Sequence, residues 1–189
     1  MPPLSETKPL RSDAARRRRA ILDAARSIFT NEGIEVAIER IAMEAGVGRA
    51  TVHRNFYDRK GLLIALLDEE LDQFAADVAA ADLLLHPTAL IDAFVRLSLN
   101  NAALLPHWQA MNSREPEFSR VRDKFLSIVE AALPAMKASG RMRDDLTAAD
   151  LELIAGMLGA ALKGDTERAR QDLTARALDI IKNGVERPE

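Results

Sequence analysis

The stretch Gly33–Lys60, GIEVAIERIAMEAGVGRATVHRNFYDRK, constrains this chain more than any other. Within it Ile38, Ile41, Ala42 and Ala45 fall at i, i+3, i+4 and i+7, the spacing of one apolar helical face. Gly46 stands where a helix stops and the backbone most often needs a positive φ. A second helical segment runs from about Gly48 to Asn55, with Val47, Val52 and Phe56 apolar. Its other positions, Arg49, Thr51, His53 and Arg54, point outward and carry cations and hydrogen-bonding groups.

A short helix, a glycine turn and a helix with a cationic outer face form the pattern of a helix-turn-helix, whose second helix lies in the DNA major groove. The run Ile41-Ala42, Gly46-Val47, Gly48, Thr51-Val52-His53, Asn55-Phe56, Arg59 and Leu62 resembles the DNA-binding domain of the tetracycline-repressor (TetR-type) family of bacterial regulators. The helix before it, Ile21 to Thr30 followed by Asn31-Glu32-Gly33, is similar too, so the resemblance covers about Arg18 to Leu67. Against the family pattern, His53 stands in a Tyr slot and Asn55 in a His slot; both still donate hydrogen bonds, with shorter reach. Gly48 replaces a capping Ser and is a weaker cap. Arg59 replaces a Lys, keeping the cation and adding donors. Val36-Ala37 fills the place of the Ser or Thr that usually caps the preceding helix. The DNA-facing cations expected from this region are Arg17, Arg18, Arg40, Arg49, Arg54, Arg59 and Lys60. Gly48, Thr51, His53 and Asn55 complete the set.

A net charge of −3 argues by itself against nucleic acid, but the distribution reverses that. Residues 1–60 hold 12 Lys/Arg and 8 Asp/Glu, and residues 61–189 hold 14 and 21. A basic N-terminal third on an acidic body suits a protein that presents one end to DNA. Arg16–Arg19 reads either as a solvated basic segment or as phosphate contacts beside the groove. Hydrophobic residues make up 48% and aromatics 4%, so the interior is expected to be aliphatic and helical. The absence of cysteine excludes disulfides and thiolate metal sites and fits a reducing cytoplasm. No apolar signal region and no run of about 18 apolar residues occurs, so no membrane association is expected.

Taken in order, residues 1–13 read as a disordered arm, 14–60 as the helix-turn-helix domain and 61–189 as a regulatory and dimerisation domain. Helix 1 buries Ile21, Ala24, Ala25, Ile28 and Phe29. Asp58 caps a helix from Arg59 to about Ala80, with Leu63, Leu67, Leu71, Phe74 and Val78 inward. Its acids Asp68, Glu69, Glu70 and Asp72 are expected to face water rather than a metal. Helices follow from Thr88, around Pro106, and from Pro116 to Ser139-Gly140 with a possible kink at Pro134. Gly140 to Leu146 resembles a second landmark of the family, and Thr147 with Asp150 reads as a capping pair. The next helix, Ala148 to Lys163, is apolar nearly all round, with Gly156, Gly159 and Ala160 allowing close approach and Gly164 stopping it. The last runs from Thr166 to about Asn183 with Leu173, Ala177, Ile180 and Ile181 inward, and Gly184 ends it. The expectation is an all-α fold of about nine helices: a three-helix N-terminal domain and a helical ligand-binding and dimerisation bundle.

Function follows from what is present. No nucleophile motif, phosphate loop or paired-His metal site occurs, so no catalytic residue, metal or cofactor is expected. The resemblance implies an inducer cavity, for which Phe74, Phe94, Asn101, His107, Trp108, Met111, Phe125 and Met157 are candidates. Taken singly, the aromatics and methionines read equally as core and His107 as an exposed helix residue. Leu151, Ile154, Leu158, Gly159 and Leu162, with Leu173, Ala177 and Ile180, read as a four-helix dimer interface. The expected protein is a cytoplasmic, nucleoid-associated homodimeric repressor, released from a pseudo-palindromic double-stranded DNA operator by a small apolar or amphipathic effector. The alternatives are a DNA-binding regulator with a packed core and no inducer, and an α-helical enzyme, which would need convergent catalytic groups.

Overall fold

The computed structural model describes residues 9–110, 116–161 and 166–186, with side chains wherever their placement is defined. Expectations for residues 1–8, for Met111 and for Leu162 and Gly164 lie outside the described residues. Among the described residues there are nine α-helices: α1 Pro9–Asn31, α2 Ile38–Glu44, α3 Arg49–Phe56, α4 Arg59–Ala80, α5 Ala89–Asn100, α6 Leu105–Gln109, α7 Pro116–Ala138, α8 Ala148–Ala161 and α9 Glu167–Val185. They divide into two compact units, one up to Leu66 and one from Leu67, so α4 contributes to both.

The first unit is closed around an aliphatic core. Ile21, Leu22, Ala25, Ile28 and Phe29 of α1 are buried, as are Ile41 and Ala42 of α2 and Val52 and Phe56 of α3. Leu62, Leu63 and Leu66 of α4 complete it. Helix α1 begins at Pro9, so 9–13 is helix rather than arm. The physical reason is local: proline needs no amide partner at a first helical position, and Ala and Arg are strong helix formers. Arg16–Asp13 at 2.7 Å and Arg19–Asp23 at 3.2 Å add i, i+3 and i, i+4 pairs.

Two local devices set the angles between the short helices. Gly46 has φ +65°, which an L side chain adopts only with strain, and the Val47 amide donates to Ala42 O at 2.9 Å across the turn. After α3, Tyr57 has φ 63° and ψ −57°, and the Asp58 amide donates to Phe56 O at 2.7 Å. That is a γ-turn with positive φ, the rare and strained form. Asp58 then caps α4 by accepting from the Gly61 amide at 2.8 Å. A Cβ at Gly61 would lie 1.9 Å from the Phe56 carbonyl oxygen, so only glycine fits this corner.

In the second unit Leu71, Phe74 and Val78 of α4 are buried with Leu90, Ile91 and Val95 of α5, Val121 and Val129 of α7, and Leu151 and Leu158 of α8. Phe74, Phe94 and Phe125 cluster with ring centroids 5.8–6.3 Å apart. The α4 acids do not simply face water. Lys124 of α7 pairs with Asp68 and Asp72, each at 2.8 Å. Glu70 accepts from Asn101 Nδ2 at 2.7 Å. A lysine on α7 thus balances two of these charges, and an amide on the neighbouring chain segment hydrogen-bonds a third acid.

Helix α7 continues through Pro134, and Gly140 follows it with φ +73°. Thr147 and Asp150 cap α8: Thr147 Oγ1 donates to Asp150 Oδ2 at 2.6 Å and accepts from the Asp150 amide at 3.2 Å. Those Thr147 hydrogen bonds hold the Asp150 carboxyl below its usual range. Helix α9 is capped by Thr166, which accepts from the Ala169 amide at 3.1 Å. It passes through Gly184 to Val185 instead of ending there. The reason is tertiary: Val185 is buried, its carbonyl accepts from the Arg143 amide at 2.9 Å, and Met142 bridges Glu186.

Candidate nucleic-acid interface and effector cavity

Helix α3 buries Val52 and Phe56 and exposes Arg49, His53, Arg54 and Asn55, with Thr51 half-buried between them. Gly48 is its N-cap in extended conformation and supplies no side-chain cap. Asn55 Nδ2 donates to Thr51 O at 2.8 Å, and Arg54 Nη2 to Thr51 Oγ1 at 3.3 Å. His53 Nδ1 lies 2.5 Å from Tyr57 O. A carbonyl only accepts, so Nδ1 is the donor in this contact, which leaves Nε2 facing away from it.

The cations fall into two sets. Arg40 is held by Glu44 at 2.8 Å and Glu32 at 3.0 Å, and the Glu44 hydrogen bond, followed by the Glu32 charge, raises its pKa. Arg59 binds Glu35 at 2.9 Å and the carbonyls of Glu35 and Val36 at 3.1 and 2.9 Å. Both brace the loop before α2, so their donors are already in use. Arg49 makes an exposed pair with Glu39 at 2.6 Å, and among the described residues Arg54 pairs with no carboxylate. Arg17 is exposed and Lys60 half-buried. The Arg18 guanidinium lies 4.5 Å from the centre of the Phe56 ring, a cation–π contact that leaves it beside the end of α3.

Tyr57 was not among the expected residues. It is 82% exposed and sits on the strained γ-turn that follows α3. A bulky residue held at positive φ with its ring in solvent stores strain that the core does not require. The one available signal was the Phe56-Tyr57 pair, of which a helix end can bury only one.

The second unit holds a cavity of about 670 Å³ whose apolar wall includes Leu71, Phe94, Trp108, Phe118, Val121 and Phe125. Its charged lining, among the described residues, is Arg122 of α7 and Glu152 of α8. They form a bidentate pair, Nε–Oε1 2.6 Å and Nη2–Oε2 2.7 Å, and Glu152 raises the Arg122 pKa through that hydrogen bond and then through its charge. Of the expected cavity residues, Phe94, Trp108 and Phe125 line it. Phe74 is buried against Phe125 and Phe94, and Asn101 is buried on Glu70. His107 is half-buried and does not line the cavity, and Met157 is 47% exposed on α8. Arg122 and Glu152 stand 30 residues apart and look in sequence like separate solvated charges.

On α8 the exposed apolar residues differ from the expected ones, while on α9 Leu173 and Ile180 are exposed. Leu151, Leu158 and Gly159 turn into the chain's own core, and Ile154 and Ala177 are half-buried. The exposed apolar residues are Leu153 and Met157 on α8, and Leu173 and Ile180 on α9. Within α9 the buried side is carried by Thr174, Ile181 and Val185. No group of metal-ligating side chains occurs among the described residues, and no helix there is long and apolar enough to cross a membrane.

Residues 21–66 match the family described as bacterial regulatory proteins, tetR family. An HTH-type transcriptional regulator of Staphylococcus aureus strain USA300 is 29% identical over 111 residues, which cover 56% of this chain and 60% of that relative. The chain thus spans less than two thirds of the curated relative's length. Among solved structures, a TetR transcriptional regulator from Streptomyces coelicolor superposes with a TM-score of 0.61 at 27% identity, covering 91% of this chain and 99% of the other. A protein from Saccharomonospora viridis, crystallised with choline, shares the fold with a TM-score of 0.66 at 19% identity, covering 92% and 100%.

Proposed function

We propose that this chain, which belongs through residues 21–66 to the tetR family of bacterial regulatory proteins, is a cytoplasmic repressor that binds a pseudo-palindromic operator as a homodimer and leaves it when a small ligand binds. The family and the relatives are transcription regulators rather than enzymes. The observation that carries the reading is α3, a buried Val52/Phe56 edge beneath an exposed face of Arg49, His53, Arg54 and Asn55. Donors and acceptors arrayed along one helix face are what base edges in the major groove require. Arg17, Arg18 and Lys60 supply phosphate contacts, and the exposed Tyr57 offers a hydroxyl to the same backbone. Arg40 and Arg59 act indirectly, by holding the loop that orients α2.

The exposed Leu153, Met157, Leu173 and Ile180 supply the surface for a second copy of the chain. Two copies related by a two-fold axis would set two α3 helices about 34–36 Å apart on the DNA. The cavity favours a ligand-controlled protein over one with a packed core, since its volume lies within the range of about 300–1,000 Å³ usual for small-molecule sites. A protein of the same fold was crystallised with choline, which supports a small organic ligand as the effector class. Such a ligand acts only through its different affinity for the DNA-competent and DNA-incompetent states.

The test is selection from random duplex DNA by the purified chain, followed by mobility shift on the enriched sequence. Enrichment of two inverted half-sites bound by two chains supports the reading. Uniform retention of all sequences would overturn it.

A further inference from the structure

The cavity of the second unit joins an aromatic wall to the Arg122–Glu152 ion pair, and that combination discriminates between ligand charges. We infer that it takes an amphipathic organic cation, with its apolar body among Phe94, Trp108, Phe118 and Phe125 and its charge on Glu152 in place of Arg122. The inference rests on the effector cavity proposed above and names its ligand class.

The ion pair is a replaceable one. The side chains of Arg122 and Glu152 are 41% and 33% exposed, so solvent reaches both partners, and a ligand cation that keeps the carboxylate charge-paired can exchange for the guanidinium. A ligand cation would displace Arg122, the longer and more exposed of the two, which can turn to water on its flexible stem beside the exposed Asp123. A ligand anion would displace Glu152 instead. That carboxylate is shorter and less exposed, and it would be left partnerless beside an apolar wall, which penalises burial of the charge. Neutral ligands would gain nothing from either group.

Two further features favour the same sign. Four aromatic side chains line the cavity, and ring faces attract cations through their quadrupoles while offering nothing comparable to an anion. Residues 61–189 carry 14 basic against 21 acidic side chains, a field that concentrates cations around this unit and repels anions. The volume of about 670 Å³ fits a body larger than a bare ammonium head.

Three probes of equal chain length separate the possibilities: decyltrimethylammonium, decanoate and decan-1-ol, each below its micelle concentration. Trp108, the single tryptophan, lines the cavity and reports binding by fluorescence. The expected result is saturable binding of decyltrimethylammonium with a Kd at least about tenfold below that of decanol, and decanoate weaker than decanol. Glu152→Gln should remove the cation's advantage while the Kd for decanol stays unchanged, and Glu152→Asp should retain it. Arg122→Gln, which removes the competitor, should tighten cation binding. Equal binding of all three probes, tightest binding of decanoate, or a cation preference that survives Glu152→Gln would overturn the inference while leaving the effector cavity standing. Failure of every probe to saturate would overturn the cavity reading as well. The unchanged decanol affinity of Glu152→Gln shows that a loss of cation binding is not a loss of fold.

Discussion

The unit up to Leu66 and the unit from Leu67 use similar residues in opposite ways. In the first, most apolar side chains of α1 to α3 close on one another, and what is left outside is mainly polar or cationic, with Met43 and the strained Tyr57 also exposed. In the second, apolar surface stays open more widely: in the cavity lined by Phe94, Trp108 and Phe118, in the exposed Leu153, Met157, Leu173 and Ile180, and at Leu84 and Leu85. A small unit of short helices needs all its burial for stability. A larger one keeps enough in reserve to leave apolar surface uncovered.

The comparison is broken most directly by truncating one aromatic in each unit. Phe29 is 1% exposed in a closed core, so Phe29→Ala is expected to cost about 3–5 kcal/mol. Phe118→Ala only widens an existing cavity and should cost less than about 1 kcal/mol, because no new void is sealed off. Denaturant unfolding followed by circular dichroism gives both values, and equal costs would mean the two cores are packed alike.

The apolar stripe predicts a difference in assembly. Leu153→Asp with Ile180→Asp places charges on an exposed surface, 63% and 55% accessible, and should give folded monomers that no longer bind the operator tightly. Leu158→Asp, at a residue 1% exposed, should instead unfold or aggregate the chain. For the unaltered protein the melting temperature should rise with concentration, as folding coupled to association requires. Sedimentation of the double variant as an intact dimer would remove the stripe from the interface.

At the corner between α3 and α4, Gly61→Ala forces a methyl group against the Phe56 carbonyl, and the backbone must move. A loss of about 2–3 kcal/mol confined to the first unit is expected, with DNA binding lost and cavity ligands retained, since such backbone clashes belong to the more costly single changes. Arg49→Ala should cost about 1–3 kcal/mol and relax preference at one base pair if the guanidinium reads a guanine edge. An equal loss on every sequence in a mobility-shift series would make it a phosphate contact. The smallest change is Tyr57→Gly, which releases a positive-φ strain of about 1 kcal/mol and should raise the melting temperature while weakening DNA binding. Lower stability in the variant would show that the tyrosine ring packs productively.

The sequence by itself determined whatever depends on neighbours within a turn or two. The 3.6-residue spacing of Ile38, Ile41 and Ala42, the stop at Gly46, the Asp58 start of α4 and the Thr147–Asp150 cap are all local, and the structure carries each of them. The outward position of Arg49, His53 and Arg54 follows from the same spacing. Tertiary structure alone decided matters in which a residue has several local options of equal standing. Helix α8 is apolar nearly all round, so its sequence carries no preferred face, and packing chose Leu151 and Leu158 for the interior and left Leu153 and Met157 outside. Arg40 and Arg59 look like free cations until Glu32, Glu44 and Glu35 are folded against them. Arg122 and Glu152 become one ion pair in a cavity wall only when α7 meets α8, because charge pairing over 30 residues leaves no periodic trace along a chain.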